Sequence, residues 1–451
     1  MMVDAKQFFD ATSPSKTLFV ADSELDQKYY IDFSSVRGGK IIEDLRDNIT
    51  LWSPEQPTCQ LLTGHIGCGK STELLRLKAE LEREGFHVVY FESSKDLEMG
   101  DVDVGDILLA IAKRVSESLD RLTLEEPKRL KSILQGAAKL LQTEITLDEV
   151  GGTIGPAQFT ANQEGITVVA MGIAKITAKV KHSPDLRSKL RGYLEPQTNG
   201  IIEAINKEIL EPAIAKLKLH GKKGLVAIVD NLDKVDSSRK PWGRLQQEYL
   251  FVDRGEQLRS LHCHLVYTMP LALRFSNDFG TLMERFMIKP QMLPMVPVQC
   301  RDGSENAEGM DLLRQMVLAR AFPQLTPEKR LEKITALFED AQTLDRLCQV
   351  SGGHVRNILR ILNDSIKKQR GLPITRQTLE EVIGAYRNER TLAVTDEEWE
   401  LLRLVMERKK VSGDDGYHTL IRSMFVYEYR DAAGSWFDIN PILASAQEWN
   451  S

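Results

Sequence analysis

A glycine-rich loop near the start of the chain constrains the fold more than any other stretch. Residues 64–72 read GHIGCGKST and match the pattern G-x-x-x-x-G-K-[ST] at every required position. Residues 59–63 before the loop form a short apolar run, and residues 70–84 after it have leucines on one helical face. Strand, glycine loop and helix start therefore follow one another in the order that a phosphate-binding loop requires.

Each residue type in the loop has a chemical reason. Glycine lets the backbone curl until successive N–H groups face an anion, and the start of the helix adds its positive dipole end. Lys70 is placed to reach the β- and γ-phosphates of a nucleotide, and the Ser71 hydroxyl is placed to bind Mg²⁺. The expected nucleotide-binding residues of this loop are Gly64, His65, Ile66, Gly67, Cys68, Gly69, Lys70, Ser71 and Thr72.

A second motif supports the first. Residues 224–230 read GLVAIVD, a continuous apolar strand that ends in Asp230. A buried parallel strand with this pattern can deliver a carboxylate to the magnesium beside the phosphates. The alternative is a core strand whose acid is only a cap. Together with the upstream loop, the pattern predicts a metal site formed by Ser71 and Asp230.

Chain length, cysteines and charge limit the remaining possibilities. A chain of 451 residues predicts two to four domains. Its five cysteines are scattered and lie mostly in apolar runs, which indicates a reducing compartment rather than a disulfide framework. No signal-like start and no membrane-length apolar run is evident, so we expect a cytoplasmic protein without membrane contact. The formal charge of −6 gives no global attraction to nucleic acid.

Two further segments leave alternatives open. Residues 29–38, YYIDFSSVRG, could form an apolar slot for adenine or an ordinary core strand. Residues 165–181 alternate apolar and polar types and predict a strand or hairpin within an insertion at 127–200. The basic residues there could bind nucleic acid or an acidic neighbour, or simply be solvated. They are Lys175, Lys179, Lys181, Arg187, Lys189 and Arg191.

The last third of the chain predicts two helical modules. Residues 306–390 contain five candidate helices, and the GGHVR run at 352–356 opens the fourth. From residue 395, two helices precede a hairpin at 425–438, which is typical of a winged helix. Acids outnumber bases in this module, so we expect it to contact a protein rather than duplex DNA.

Taken in order, these motifs resemble the AAA+ ATPases of the origin-recognition and helicase-loading type and the related STAND ATPases. The resemblance implies an α/β P-loop NTPase sandwich with a five-stranded parallel sheet of order 5-1-4-3-2, a helical lid and a C-terminal winged-helix domain. It implies ATP and Mg²⁺ as ligands. The expected division is an N-terminal segment with adenine-side residues at 1–50, an ATPase core at 51–304, a lid at 305–392 and a winged-helix-like domain at 393–451.

The resemblance also assigns roles to single residues. It implies that Thr268 is the first sensor, that Arg356 is the second sensor, touching the γ-phosphate from the lid, and that Arg285 is an arginine finger for a neighbouring subunit, with Arg274 as fallback. Asn231 stands where relatives commonly have Glu. An amide cannot accept a proton as a carboxylate can, so hydrolysis would be slow or would depend on Asp233. The adenine-side and lid residues implied are Tyr30, Ile31, Val36, Arg37 and Val355.

The sequence thus favours an ATPase that acts as a slow molecular switch, forms a homo-oligomer and contacts a protein effector through the winged helix. Two other hypotheses remain open. One is an ATP-dependent DNA-binding adaptor or loader that uses the basic segment, and the other is a scaffold that binds ATP or ADP without turnover. A role in bacterial antiviral defence or signalling would follow only from the STAND likeness, which is a fold-level analogy.

Overall fold

The computed structural model describes residues 4–119, 124–141 and 166–446. Its centre is a sheet of five strands, all parallel, in the order β2-β3-β4-β1-β5, which confirms the predicted order. The strands are β1 Cys59–Gly64, β2 His87–Glu92, β3 Leu225–Asp230, β4 His264–Thr268 and β5 Gln291–Leu293.

The strands are apolar because helices cover both faces of the sheet. On β3, Leu225, Ala227 and Val229 face one helical layer, and Val226 and Ile228 face the other. β5 is short and pairs only with β1 among the described strands, so it forms a sheet edge, and Pro290 and Pro294 directly flank it.

The α-helices are numbered α1 to α21 along the chain. Before β3 they are α1 Ala5–Ala11, α2 Glu24–Tyr29, α3 Ile41–Asp47, α4 Lys70–Arg83, α5 Ser93–Asp96, α6 Val104–Ser118, α7 Lys128–Leu140, α8 Ile166–Val180, α9 Pro184–Leu194, α10 Thr198–Ala204 and α11 Glu211–Leu219. Between β3 and β5 they are α12 Gln246–Glu248, α13 Gly255–Arg259 and α14 Phe279–Phe286. After β5 they are α15 Ala307–Ala321, α16 Pro327–Leu331, α17 Ala341–Ser351, α18 Val355–Gln369, α19 Arg376–Thr391, α20 Asp396–Arg408 and α21 Asp415–Arg422.

The two faces of the sheet are covered by different elements. Helices α6, α7, α8, α10 and α13 share one hydrophobic core with the sheet. Helices α3 and α4 cover the opposite face, together with a C-terminal hairpin of β6 Val426–Asp431 and β7 Gly434–Ile439. The hairpin contributes Tyr427, Tyr429 and Trp436 to that core, so it packs directly against the sheet and helices α3 and α4.

Helices α15 to α19 form the helical lid around a separate core. Phe8, Phe33 and Val36 from the N-terminal segment are buried in that core, so these parts of the segment pack on the lid. The winged helix consists of α20, α21 and the hairpin, and its core includes Met292 of β5. Within the described ranges, no helix is long and apolar enough to cross a bilayer.

Two local predictions were wrong. Residues 166–180 form helix α8, not a strand or hairpin, because buried Val169, Ile173, Ile176 and Val180 recur at helical spacing against α6 and α7. The strand alternative for residues 29–38 also fails, since Tyr29 ends α2 and residues 34–38 form turns. Residues 142–165, which include much of the predicted insertion, lie outside the described part of the chain.

Replacing Gly353 by alanine should loosen the joint between lid and core. Gly353 has a φ of +72°, and an added Cβ would lie 1.6 Å from the carbonyl oxygen of Val296. We expect Gly353→Ala to destabilise the protein by about 2 kcal/mol or more, measured as a lower urea midpoint. The matched control is Gly371→Ala, where nothing lies within 4 Å of the added Cβ. Equal midpoints for the two variants would contradict this account of the joint.

Candidate nucleotide-binding site

The glycine loop joins β1 to α4 in conformations that favour glycine. Gly67 and Gly69 have φ values of 89° and 109°, a region that side chains rarely adopt. At Gly64, an added Cβ would lie 2.6 Å from the carbonyl oxygen of Leu293 on β5. The strand before the loop and the helix after it therefore hold a turn that only a glycine-rich sequence can form.

An open cavity lies in front of this loop. Its wall comes from the loop, the acidic end of β3, the N-terminal segment and the lid. The residues that line the cavity include Ile66, Gly67, Cys68, Gly69, Lys70, Ser71, Thr72, Glu73, Asp230, Asn231, Asp233, Pro14, Lys16, Thr17, Leu18, Tyr29, Tyr30, Ile31, Phe33, Arg37, Met316, Arg320, Val355, Arg356 and Leu359. Loop residues 66–72, Asp230 and the lid residues Val355 and Arg356 thus line one cavity, whereas the predicted loop residues Gly64 and His65 do not line it.

The Lys70 ammonium is buried and fully engaged at the floor of the cavity. It donates to the carbonyl oxygens of Gly64 and His65 at 2.8 and 2.9 Å and pairs with Asp233 at 2.9 Å. Burial opposes its charge, but attraction to Asp233 leaves the pKa of Lys70 raised. The other carboxylate oxygen of Asp233, Oδ1, is buried without a hydrogen-bond partner.

The acid at the end of β3 is close to the start of α4. Asp230 accepts hydrogen bonds from the Ser71 hydroxyl and from the Tyr90 hydroxyl, the latter at 2.8 Å. Burial, followed by the nearby charge of Asp233, raises the pKa of Asp230. Ser71 and Asp230 therefore present two oxygens side by side, which suits Mg²⁺ when nucleotide oxygens complete its shell. No cluster of three or more His, Cys, Asp or Glu side chains suited to a metal occurs in the described ranges.

Asn231 turns away from the strand that precedes it. Its φ of +67° is left-handed, a conformation that Asn tolerates better than most residues. Its amide donates to Glu92 Oε2 at 3.2 Å and to Ser94 Oγ at 3.4 Å. The residue next to Asp230 is thus tied to the neighbouring strand β2.

The N-terminal segment supplies the opposite wall of the cavity. Tyr30, Ile31 and Arg37 line it, whereas Val36 is buried in the lid core instead. Arg37 donates to the Cys68 carbonyl at 2.8 Å. Its Nε is buried without a partner, and burial lowers its pKa. This wall is mostly aromatic and aliphatic, as a purine base requires.

Sequence reasoning missed half of that wall. Pro14, Lys16, Thr17 and Leu18 precede the predicted segment, and the lid residues Met316, Arg320 and Leu359 follow it by hundreds of positions. Their types give no local signal. Met316 and Leu359 are ordinary helix-core residues by pattern, and only the packing of α15 and α18 brings them to the cavity.

The lid contributes a cation close to the phosphate side. Val355 and Arg356 open α18 and line the cavity, and the Arg356 backbone N–H donates to the Gly67 carbonyl at 3.3 Å. Burial lowers the pKa of Arg356, and Arg360 lowers it further. In the part of the chain that the structure describes, no carboxylate pairs with its guanidinium.

Two histidines join the glycine loop to the lid and to the hairpin. His354 donates from Nε2 to the Ile66 carbonyl at 2.8 Å, and its Nδ1 accepts from the Asn357 N–H as the cap of α18. His65 accepts from the Glu428 N–H at 2.9 Å. The Tyr427 ring stacks on His354, with centroids 5.8 Å apart, and meets His65 edge-on at 5.6 Å.

Several residues assigned from the sequence lie away from the cavity wall. Thr268 is buried, and its hydroxyl accepts from the Asp233 N–H at 3.4 Å. Arg285 is partly exposed and pairs with Glu256 at 2.7 Å. The fallback, Arg274, pairs with the buried carboxylate of Glu428 at 2.6 Å, so it is not available to a neighbouring subunit.

The basic segment is less positive than its sequence indicates. Arg187 and Arg191 are paired with acids from the segment before α6, among them Asp101. Arg191 also pairs with Asp103 at 3.0 Å. These arginines fix α9 to the core, which reduces the charge left for nucleic acid.

Comparison with known proteins gives no family. No protein-family model matches the sequence, and a search of curated proteins found no similar chain. Among solved structures, Cdc6p from Pyrobaculum aerophilum is similar at 11% identity and a TM-score of 0.38, with 100% of this chain and 98% of that chain covered. ORC2 from Aeropyrum pernix follows at 12% identity and 0.37, with 98% and 97% covered.

RuvB from Thermotoga maritima is similar at 12% identity and a TM-score of 0.35, with 93% of this chain and 95% of that chain covered. Likenesses at these TM-scores decide nothing about this chain. Its own five-stranded sheet, glycine loop and acid-tipped β3 place it among the P-loop α/β sandwiches.

Acidification should weaken the joint at His354. Burial and nearby arginines lower the pKa of His354 to about 3, against the opposing effect of its bond to the Ile66 carbonyl, whereas an unfolded histidine titrates near 6.5. Between these values the unfolded chain binds more protons, so stability falls as the pH drops below about 6.5, by up to about 1.4 kcal/mol per pH unit. Urea midpoints of the wild type should therefore fall more steeply between pH 6.5 and 4.5 than those of His354→Asn. The exposed His220→Asn serves as control and should keep the wild-type slope.

Proposed function

We propose that the protein is an ATP-dependent molecular switch of the AAA+ or STAND type that hydrolyses its nucleotide slowly. The observation that carries the proposal is that lid and winged helix both bond directly to the glycine loop. His354 and Arg356 reach its carbonyls from the lid, and the hairpin reaches His65. A ligand that reshapes this loop therefore acts on both modules at once.

The residues of the cavity fit a magnesium nucleotide. The triphosphate would take the place of Asp233 at the Lys70 ammonium, and Ser71 and Asp230 would hold Mg²⁺. The metal, when bound, neutralises phosphate charge. The base would lie between the N-terminal wall and the lid residues Met316 and Leu359. The orphaned oxygen of buried Asp233 supports this exchange, because that carboxylate is only half satisfied where it lies.

Arg356 supports a role for the terminal phosphate. Its guanidinium lines the cavity without a carboxylate partner among the described residues, and it is partly desolvated. A γ-phosphate would supply the missing anion. Since a switch needs a few kcal/mol of differential binding, one charge-assisted contact of this kind is of the right size.

Other parts of the proposal concern the partners of the protein and its biological role. Self-association through the exposed Arg285 and binding of a protein effector by the acidic winged helix remain proposals, as does a role in defence. Nucleic-acid binding through the 175–191 segment is disfavoured, because Arg187 and Arg191 are engaged by acids of the same chain. A scaffold without turnover remains the rival if no hydrolysis is found.

Removing the Lys70 ammonium tests the nucleotide site. We expect Lys70→Ala to lower the affinity for Mg·ATP by roughly 100-fold, because a charge-assisted phosphate contact is lost. Calorimetric titration measures the change. Lys78→Ala, on the same helix in a partly exposed pair with Glu82, should bind as the wild type does.

Lys70→Ala also leaves Asp233 buried without its cation. The double variant Lys70→Ala, Asp233→Asn removes that unpaired carboxylate. It should recover thermal stability but not the affinity for Mg·ATP. Wild-type affinity in a folded Lys70 variant would refute the assignment of this site.

Arg356→Ala tests the switch separately from binding. We expect affinity for a non-hydrolysable ATP analogue to fall roughly tenfold or more while ADP affinity stays within about threefold, because only ATP carries the γ-phosphate. The exposed Arg360→Ala, one helical turn further on, is the control. Hydrogen exchange at residues 426–431 should differ between the two nucleotides in the wild type and not in Arg356→Ala. An equal loss of affinity for both nucleotides would contradict the role of Arg356 at the γ-phosphate.

A further inference from the structure

The strand ends β2 and β3 bring an acid and an amide together beside the phosphate cavity. Glu92 and Asp230 are the last residues of these strands and are partners in register. Parallel neighbours end at the same sheet edge, so both carboxylates lie at the edge where the glycine loop begins its turn. Asn231 lines the cavity, and its amide donates to Glu92 Oε2 at 3.2 Å; Glu92 itself lies behind this amide and is not one of the lining residues.

The left-handed backbone of Asn231 makes this contact. With a φ of +67°, the residue leaves the line of β3 and turns its amide toward β2. A second bond from the same Nδ2, to Ser94 Oγ at 3.4 Å, fixes its orientation. Nδ2 is thus the donor in both bonds. The arrangement is therefore that of a carboxylate held by a positioning amide.

The other acids near the cavity are buried, and each has at least one ionic or hydrogen-bonding partner. Asp233 is paired with Lys70, and its N–H is bonded to Thr268. Glu73 accepts from the Tyr30 hydroxyl and from Arg76. Asp230 is taken by Ser71, Tyr90 and the Asn231 N–H.

Glu92, by contrast, has a surface partner in Lys95 at 2.9 Å, with the two side chains 33% and 67% exposed. An exposed pair of this kind holds a carboxylate weakly. Of the acids at this edge, Glu92 is the one that solvent reaches and that a small shift can release.

We propose that Glu92 is the general base of ATP hydrolysis and that Asn231 positions it. Compared with chains that have an acid after Asp230, the two residue types are interchanged: here the acid is at the end of β2 and the amide follows Asp230. This inference rests on the proposed function. Glu92 accepts a proton from the attacking water as the water oxygen bonds to the γ-phosphorus. The bond from that phosphorus to the β–γ bridging oxygen breaks and its electrons leave with ADP. The proton on Glu92 then passes to solvent, which restores the carboxylate.

The exchange can be tested by reversing it. We expect Glu92→Gln to lower the hydrolysis rate roughly 100-fold or more, the usual share of a general base, while Mg·ATP affinity stays within about threefold. Protein incubated with ATP and then isolated should release ATP from Glu92→Gln and ADP from the wild type. Glu84→Gln, an exposed acid paired with Lys223, is the matched control and should hydrolyse as the wild type does.

Glu92→Asn should be as slow as Glu92→Gln. The double variant Glu92→Asn, Asn231→Glu moves the carboxylate to the position after Asp230 and should regain at least about tenfold over Glu92→Asn. A purely structural role for Glu92 would give no such rescue. Hydrolysis at the wild-type rate by Glu92→Gln overturns the proposal, as does a double variant that binds Mg·ATP with a wild-type urea midpoint yet gains nothing.

The result separates this inference from the proposed switch. A wild type that binds Mg·ATP without hydrolysing it overturns the role of Glu92 and leaves nucleotide binding intact. A wild type that fails to bind Mg·ATP overturns both.

Discussion

One buried ammonium group determines how the centre of this protein is built. Lys70 lies in the interior, where an unpaired charge would be far too costly, so the chain must surround it with acceptors. Two loop carbonyls and Asp233 do so. To provide them, β1 must end in a tight glycine turn, and the turn after β3 must carry an acid back toward α4. Sheet order, loop conformation and the position of Asp233 all follow from this requirement.

The glycine loop also forms hydrogen bonds with its other neighbours. Its carbonyls at Ile66 and Gly67 are bonded by the lid, the Cys68 carbonyl by Arg37, and the His65 ring by the hairpin. A short loop with so many outside partners cannot move alone. The rings of His354 and His65 both pack on Tyr427, which adds to the contact between loop, lid and hairpin. A shift of one ring alters the packing of the other two. This would give the proposed coupling between nucleotide and winged helix a contiguous physical basis.

The sequence predicted the parts of this structure that are encoded locally. β1, β3 and α4 follow from apolar period and glycine position, whereas the order of the sheet was only implied by the family resemblance. Helix α8 was mispredicted because its residues alternate in polarity near the end, while its burial follows the helical period of Val169, Ile173 and Ile176. The lid wall at Met316 and Leu359, the Tyr427 stack and the bond from Asn231 to Glu92 join residues far apart in the chain. No local pattern specifies them, so only the folded structure brings them into view.

The role of Asp233 follows from the same electrostatics. Its carboxylate neutralises Lys70 and is one of the charges that attract Arg356, while its backbone N–H is held by Thr268. An arriving triphosphate would replace it at Lys70 with a group of higher charge, and the fixed backbone would let the side chain turn aside without disturbing β3. The anion nearest to Arg356 would then be a phosphate rather than a half-satisfied carboxylate. Since the attraction grows with that charge and the site is largely desolvated, the exchange would draw α18 toward the loop. On the proposed function, Asp233 would hold the place of the nucleotide in its absence.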